Sequence, residues 1–177
     1  MIRCMALQSR HKTPELSLDA VDRRILTALQ EDASLTNVGL AARIGLSPSP
    51  CLARVRQLEE AGIIVKRVAL LDPLKIGASI SVFIQVTLEK QTEPALEQFE
   101  SAMNRFPEVM ECYLMTGEAD YLLRVVVPDI VALQDFIVGR LSKTAGVANI
   151  RSSFALKQVK YKTALPLDEL LGVQPTR

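Results

Sequence analysis

The stretch Ile44-Gly45-Leu46-Ser47-Pro48-Ser49-Pro50 constrains this chain more than any other. Upstream, Thr36 stands where it can cap a helix, with Val38, Leu40, Ala41 and Ile44 as that helix's apolar positions. Gly45 ends it, because glycine takes the left-handed conformation that lets a chain leave a helix sharply. Ser47 is a strong N-cap for the next helix. Pro48 and Pro50 cost no hydrogen bonds in its first turn, where amide groups have no helical partner. Leu46 and Cys51 sit at N′ and N4, the positions of a hydrophobic staple. Leu52, Val55 and Leu58 then bury the third helix, which Gly62 closes. Thr36 to Ala61 reads as helix, glycine turn, helix, with the motif at about residues 37–56. A helix before it opens at Asp19, with Asp22 at N3 and Val21, Ile25, Leu26 and Leu29 at helical spacing.

Ile63 to Leu71 (IIVKRVALL) is rich in β-formers and predicts a wing or hinge strand. Lys75 to Ser79 marks the domain boundary, and from there the rhythm changes. Ser81 to Leu88 alternates with Val82, Ile84, Val86 and Leu88 on one face. Thr92 caps a helix whose inner face is Leu96, Phe99, Met103 and Phe106. Val109 to Met115 and Asp120 to Val127 are strands around the turn Thr116-Gly117-Glu118-Ala119. Asp129 caps a helix with Ile130, Leu133, Ile137 and Leu141 inward, and Val147 to Leu156 is a fourth strand. The order βαββαβ predicts a ferredoxin-like domain, and Pro107-Glu108-Val109 echoes Ala145-Gly146-Val147 about 38 residues later. Val159, Tyr161 and Thr163 suggest one more edge strand. The fold class is α+β: a flexible basic tail (1–17), a winged helix-turn-helix domain with hinge strand (18–79), a ferredoxin-like domain (80–165) and a C-terminal tail (166–177).

Composition narrows the function. Residues 1–71 carry a net charge of +3 and residues 72–177 of −2, so the first part tolerates a polyanion without demanding one. No apolar run approaches the ~20 residues of a membrane helix, and Met1 to Leu16 has no apolar core of a signal peptide, so a cytoplasmic chain is expected. Cys4, Cys51 and Cys112 lack metal-ligand spacing, and no metal is expected. The one histidine lies in the tail, and no nucleophile–base pair or phosphate loop is visible, which argues against an enzyme.

The stretch LSPSPCLARVRQLEEAGII (Leu46 to Ile64), with LDAVDRRILTALQEDA (Leu18 to Ala33) before it and ECYLMTGEADYLLRV (Glu111 to Val125) after it, resembles the leucine-responsive and asparagine-operon regulator (Lrp/AsnC) family. The resemblance spans about Leu18 to Leu165. Within the family, ECYLMTG and IRSSFALKQVKYKTALPL look closest to regulators of branched-chain amino acid or keto-acid catabolism. Many members carry Glu at N3 of the second helix, where this chain has Gly39.

The resemblance implies a transcriptional regulator that reads double-stranded DNA with its third helix. Ser47, Pro48, Ser49 and Pro50 form the end nearest the bases, while Arg54, Arg56 and Gln57 are candidate contacts to phosphates or base edges. Arg54 has a second reading, as an anchor against Glu59 or another acid. Two recognition helices in a homodimer predict pseudo-palindromic sites, and the family implies assembly up to an octamer. The dimer is expected to pack sheet face on sheet face. The family also implies an amino-acid effector, with no other cofactor, at Thr116, Gly117, Glu118, Ala119, Asp120 and Tyr121. Ser152 and Ser153 shape the side-chain pocket. Asp120 would receive the ammonium group; in the plainer reading Gly117 makes a hairpin and Asp120 caps a backbone amide. Rival readings are an architectural DNA-binding protein without an effector, and an amino-acid-metabolising enzyme.

Overall fold

The computed structural model describes residues 18–171. The expected basic tail, Cys4 and residues 172–177 lie outside them. The described chain divides into two compact units: one runs to Ala69 and takes in the chain from Lys160 onward, the other is Leu70–Val159. The first boundary thus falls ten residues before the expected one, and the C-terminal segment groups with the helix-turn-helix rather than trailing as a tail.

In the first unit, α1 (Ala20–Glu31), α2 (Asn37–Ile44) and α3 (Pro48–Glu60) enclose a core of Ile25, Leu29, Leu40, Ile44, Cys51, Val55 and Leu58. The caps explain where the helices begin. The Asp19 carboxylate accepts the amides of Val21 and Asp22 at 2.8 Å, and the Asp22 carboxylate accepts the Asp19 amide at 3.1 Å, closing a reciprocal capping box. Thr36 Oγ1 accepts the Gly39 amide. Two expected inward side chains point out: Val38 is 65% exposed and Leu52 38%. Cys51, not Leu52, continues the stripe through Val55 and Leu58, at spacings of four and three. A short helix α6 (Leu167–Leu170) sets Leu167 against this core.

In the second unit a four-stranded antiparallel sheet has the order β2-β3-β1-β4, formed by β1 (Ile80–Leu88), β2 (Val109–Leu114), β3 (Tyr121–Val127) and β4 (Val147–Phe154). Strict alternation sets the register: Val82, Ile84, Val86 and Leu88 of β1 lie with Tyr121, Leu123, Val125 and Val127 of β3 on one buried face. A one-residue slip would move that whole set to the other face, which is why the pairing is well specified. Helix α4 (Glu93–Met103) covers this face with Phe99 and Met103. Helix α5 (Ile130–Gln134) widens into a π-helical segment, Asp135–Arg140, and ends in a 3₁₀ turn, Leu141–Lys143.

Leu133, Phe136 and Leu141 are buried, and Ile130, expected inward, is 56% exposed. Ile130 is the first residue of α5 and precedes the wide segment. The five-residue hydrogen-bond step acts later, keeping Leu141 in line with Phe136. Neither Ile63 to Leu71 nor Val159 to Thr163 pairs into a sheet within this chain. Ile63 and Ile64 pack partly buried against the core of the three helices, while Val65, Leu70, Val159 and Tyr161 are exposed.

Candidate DNA interface and effector turn

The turn between α2 and α3 follows from Gly45. At φ +71° it is left-handed, and the Leu46 and Gly45 amides return to the carbonyls of Ala41 and Ala42 at 2.9 and 3.3 Å. Those bonds satisfy carbonyls that the helix end leaves open. Asn37 Nδ2 donates to the Pro48 carbonyl at 2.8 Å, fixing the start of α2 to the start of α3. Ser47, Pro48, Ser49 and Pro50 are exposed together at the beginning of α3, and Ser47 makes no capping bond through its side chain. Pro48 supplies the helical φ there instead.

Arg56 and Gln57 are exposed further along α3. Arg54 is placed differently. Its guanidinium donates to Asp19 at 2.7 Å and Asp22 at 2.8 Å, so it anchors α3 to the capping box of α1. The acids that hold Arg54 are therefore those of the α1 capping box and not Glu59, which pairs with Arg67 at 2.9 Å. The Asp19 carboxyl is held down to about 2, first by the Asp22 amide and also by Arg54.

The turn of the second unit is built around Asp120. Gly117 has φ +126°, which excludes other residues without strain. The Met115 amide donates to the Asp120 carbonyl at 2.8 Å, and the Asp120 amide to the Val86 carbonyl at 3.0 Å. The buried Asp120 carboxylate accepts the Leu88 amide and Gln91 Nε2, both at 2.7 Å. Asp120 therefore caps a backbone amide, as in the plainer reading, and ties the turn to the end of β1. Tyr121 is buried too: its hydroxyl donates to Glu100 at 2.8 Å and its ring lies 4.6 Å from Phe99. Burial, then the Glu100 carboxylate, raises its pKa. Thr116, Gly117 and Glu118 are exposed and Ala119 half-buried.

Ser152 and Ser153 do not converge on that turn within one chain. From β4 they pair with Ile84 and Phe83 of β1, alternation sends them to opposite faces, and β1 separates their strand from β3. Gln91 and Glu100 are the side-chain partners of Asp120 and Tyr121 that the sequence does not flag. They sit in polar surroundings with no periodic signal.

The open face of the sheet carries Phe83, Leu122 and Val126 around an Arg124–Glu111 ion pair of 2.6 Å, to which the Tyr113 hydroxyl adds a bond at 3.0 Å. Among the described residues no His, Cys, Asp and Glu side chains cluster as a metal site, and no helix is long and apolar enough to cross a membrane.

Residues 18–65 match the family described as winged helix-turn-helix DNA-binding, and residues 81–165 match the Lrp/AsnC ligand binding domain. The Bkd operon transcriptional regulator of Pseudomonas aeruginosa is 47% identical over 150 residues, covering 85% of this chain and 98% of that protein. The chain belongs to the Lrp/AsnC family. The leucine-responsive regulatory protein of Escherichia coli K12 is 41% identical over 154 residues, covering 87% of this chain and 94% of its own. Among solved structures, a transcriptional regulator of Neisseria meningitidis in complex with L-Met superposes with a TM-score of 0.83 at 43% identity, over 87% of this chain and 99% of that one. An AsnC family regulator of Agrobacterium tumefaciens gives 0.80 at 44%, over 86% and 99%. The fold class, the family and the function as a transcriptional regulator agree across the family models, the relatives and the solved structures. These Lrp/AsnC relatives are regulators and not named for an enzymatic reaction.

Proposed function

We propose that this Lrp/AsnC regulator binds duplex DNA in the cytoplasm through α3 and changes that binding in response to a small aliphatic amino acid. The observation that carries the effector half is its likeness, along 87% of the chain, to a regulator solved with L-Met. The start of α3 offers Ser47 to Pro50 as the end that meets the bases, with Arg56 and Gln57 as the long exposed contacts. Arg54 orients the helix, because both of its acidic partners must be broken before it can reach a phosphate.

At the effector turn, Thr116, Gly117, Glu118 and Ala119 supply the surface, and Asp120 and Tyr121 hold its shape. Exposed amides around Gly117 suit a ligand carboxylate. The serines of β4 lie apart from this turn, so a pocket that uses both Ser152 or Ser153 and the turn needs a second copy. A homodimer is favoured by the open sheet face with Phe83, Leu122 and Val126, and by the unpaired apolar segments around Val65 and Val159. Two recognition helices then ask for a pseudo-palindromic site, and an octamer is four such dimers. No cofactor beyond the amino acid is required.

A thermal-shift screen of the full chain against L-leucine, L-isoleucine, L-valine and L-methionine tests the effector reading. Binding at a hundredfold excess over Kd adds about 2.7 kcal/mol of apparent stability. A shift with one or two of these is expected. No shift with any amino acid, in a chain that still binds DNA, transfers the reading to the architectural protein.

A further inference from the structure

A groove of about 470 Å³ runs along α1, lined by Arg23, Arg24, Thr27, Glu31, Arg43 and Asp168 among others. Its charges are incompletely matched. Arg43 pairs with Glu31. Among the described residues, Arg23 Nε is buried without a hydrogen-bond partner and Arg24 makes no ion pair. A guanidinium left in this state is a ready partner for an oxyanion, because its planar fork donates to two oxygens at once.

The one acid brought to the groove from outside α1 and α2 is Asp168. Its carboxylate lies 4.0 Å from Arg23 and remains 75% exposed, so this pair is loose and screened by salt. The segment carrying it is held by other means. Gln30 Nε2 donates to the Leu165 carbonyl at 3.3 Å, and Gln30 Oε1 accepts the Leu165 amide at 2.7 Å. Leu167 packs against the core of the three helices. Anchoring is neutral and apolar, while the charged contact is the weak one.

We infer that Leu165–Leu170 is an intrachain strap that parks Asp168 at a phosphate-binding groove on α1, so that the strap and the DNA backbone compete for Arg23 and Arg24. A duplex presents closely spaced phosphates and releases counterions when they are neutralised, an advantage that one exposed carboxylate lacks. The strap therefore lowers sequence-independent affinity and leaves base reading to α3. This inference rests on the DNA-binding reading.

The test is binding of the full chain to a random-sequence duplex, followed by fluorescence anisotropy over a salt series. Asp168→Ala is expected to raise affinity about two- to fivefold at low salt and to steepen the log–log salt dependence by up to about one. Gln30→Ala, which frees Leu165 without changing charge, should give a gain of the same sign. Glu169→Ala removes the same charge from a residue that does not line the groove, and should leave affinity near that of the unaltered chain. Adding Arg23→Gln to Asp168→Ala should abolish the gain. Equal effects of Asp168→Ala and Glu169→Ala, or a gain that survives Arg23→Gln, would overturn the strap. No duplex binding by the unaltered chain would overturn the DNA-binding reading itself, and the strap with it.

Discussion

The Asp120 carboxylate accepts the Leu88 amide at 2.7 Å, and this bond joins the turn after β2 to the end of β1. Both groups are buried, so removing the acceptor leaves a donor without solvent. Asp120→Ala should destabilise the chain by about 1–3 kcal/mol, seen as a lower urea midpoint. Asp120→Asn keeps an acceptor oxygen and should lose less. Equal losses would show that the charge, not the bond, matters there.

Arg54 and Arg56 separate positioning from contact. Arg56→Ala should leave the melting temperature unchanged, weaken DNA binding across sequences and reduce the salt slope by about one. Arg54→Ala should lower the melting temperature, since α3 loses its tie to Asp19 and Asp22. Similar melting curves for the two variants would remove the anchoring role.

Asp22 serves both the capping box and Arg54. Asp22→Ala orphans the Asp19 amide and halves the partners of Arg54, at a cost of about 1–2 kcal/mol. Unfolding followed by helical circular dichroism reads this directly.

The same cap predicts an acid response. The folded pKa of Asp19 is about 2, below its ordinary 3.8, chiefly because the Asp22 amide bonds to its ionised form. A depressed carboxyl stabilises the fold fully above its unfolded pKa, and that contribution disappears as pH falls through the folded one. The unaltered chain should therefore lose stability between about pH 4 and 2 more steeply than Asp19→Asn. Parallel urea titrations across that window decide it.

Gly45 carries the turn of the helix-turn-helix. Its φ of +71° strains any residue with a Cβ, although nothing crowds that position within 4 Å. Gly45→Ala should cost about 1 kcal/mol through backbone strain alone, and a larger loss would point to a misplaced α3.

Much of this architecture is legible in the sequence because period and punctuation agree. Asp19 with Asp22, Thr36, Gly45 and Asp129 announce helix ends through local chemistry, and each stands at an end. Alternation in Val82 to Leu88 fixes which face of β1 is buried. What escapes is whatever depends on a partner distant in sequence. The Arg54 pairing spans 32 residues to Asp22, and the Gln30–Leu165 bonds span 135. Phe136 and Leu141 are both buried five residues apart, a spacing that the π-helical step accommodates and a 3.6-residue pattern does not announce. Ser152 and Ser153 are legible in part: they fall in the stretch Val147 to Leu156 read as a strand, where alternation already sends them to opposite faces, while the pairing of that strand with β1 is not visible in the sequence.

DNA binding and amino-acid binding are two coupled equilibria in the proposed regulator. The affinity of the full chain for a pseudo-palindromic duplex, measured by anisotropy with and without saturating L-leucine or L-methionine, reads that coupling. A coupling of about 1–3 kcal/mol changes that affinity roughly 5- to 150-fold, and linkage requires the amino acid's own affinity to change by the same factor when DNA is bound. A reciprocal shift of this kind is expected with at least one of the two amino acids. Unchanged DNA affinity with both, in a chain that binds them and binds DNA, would rule out the coupling.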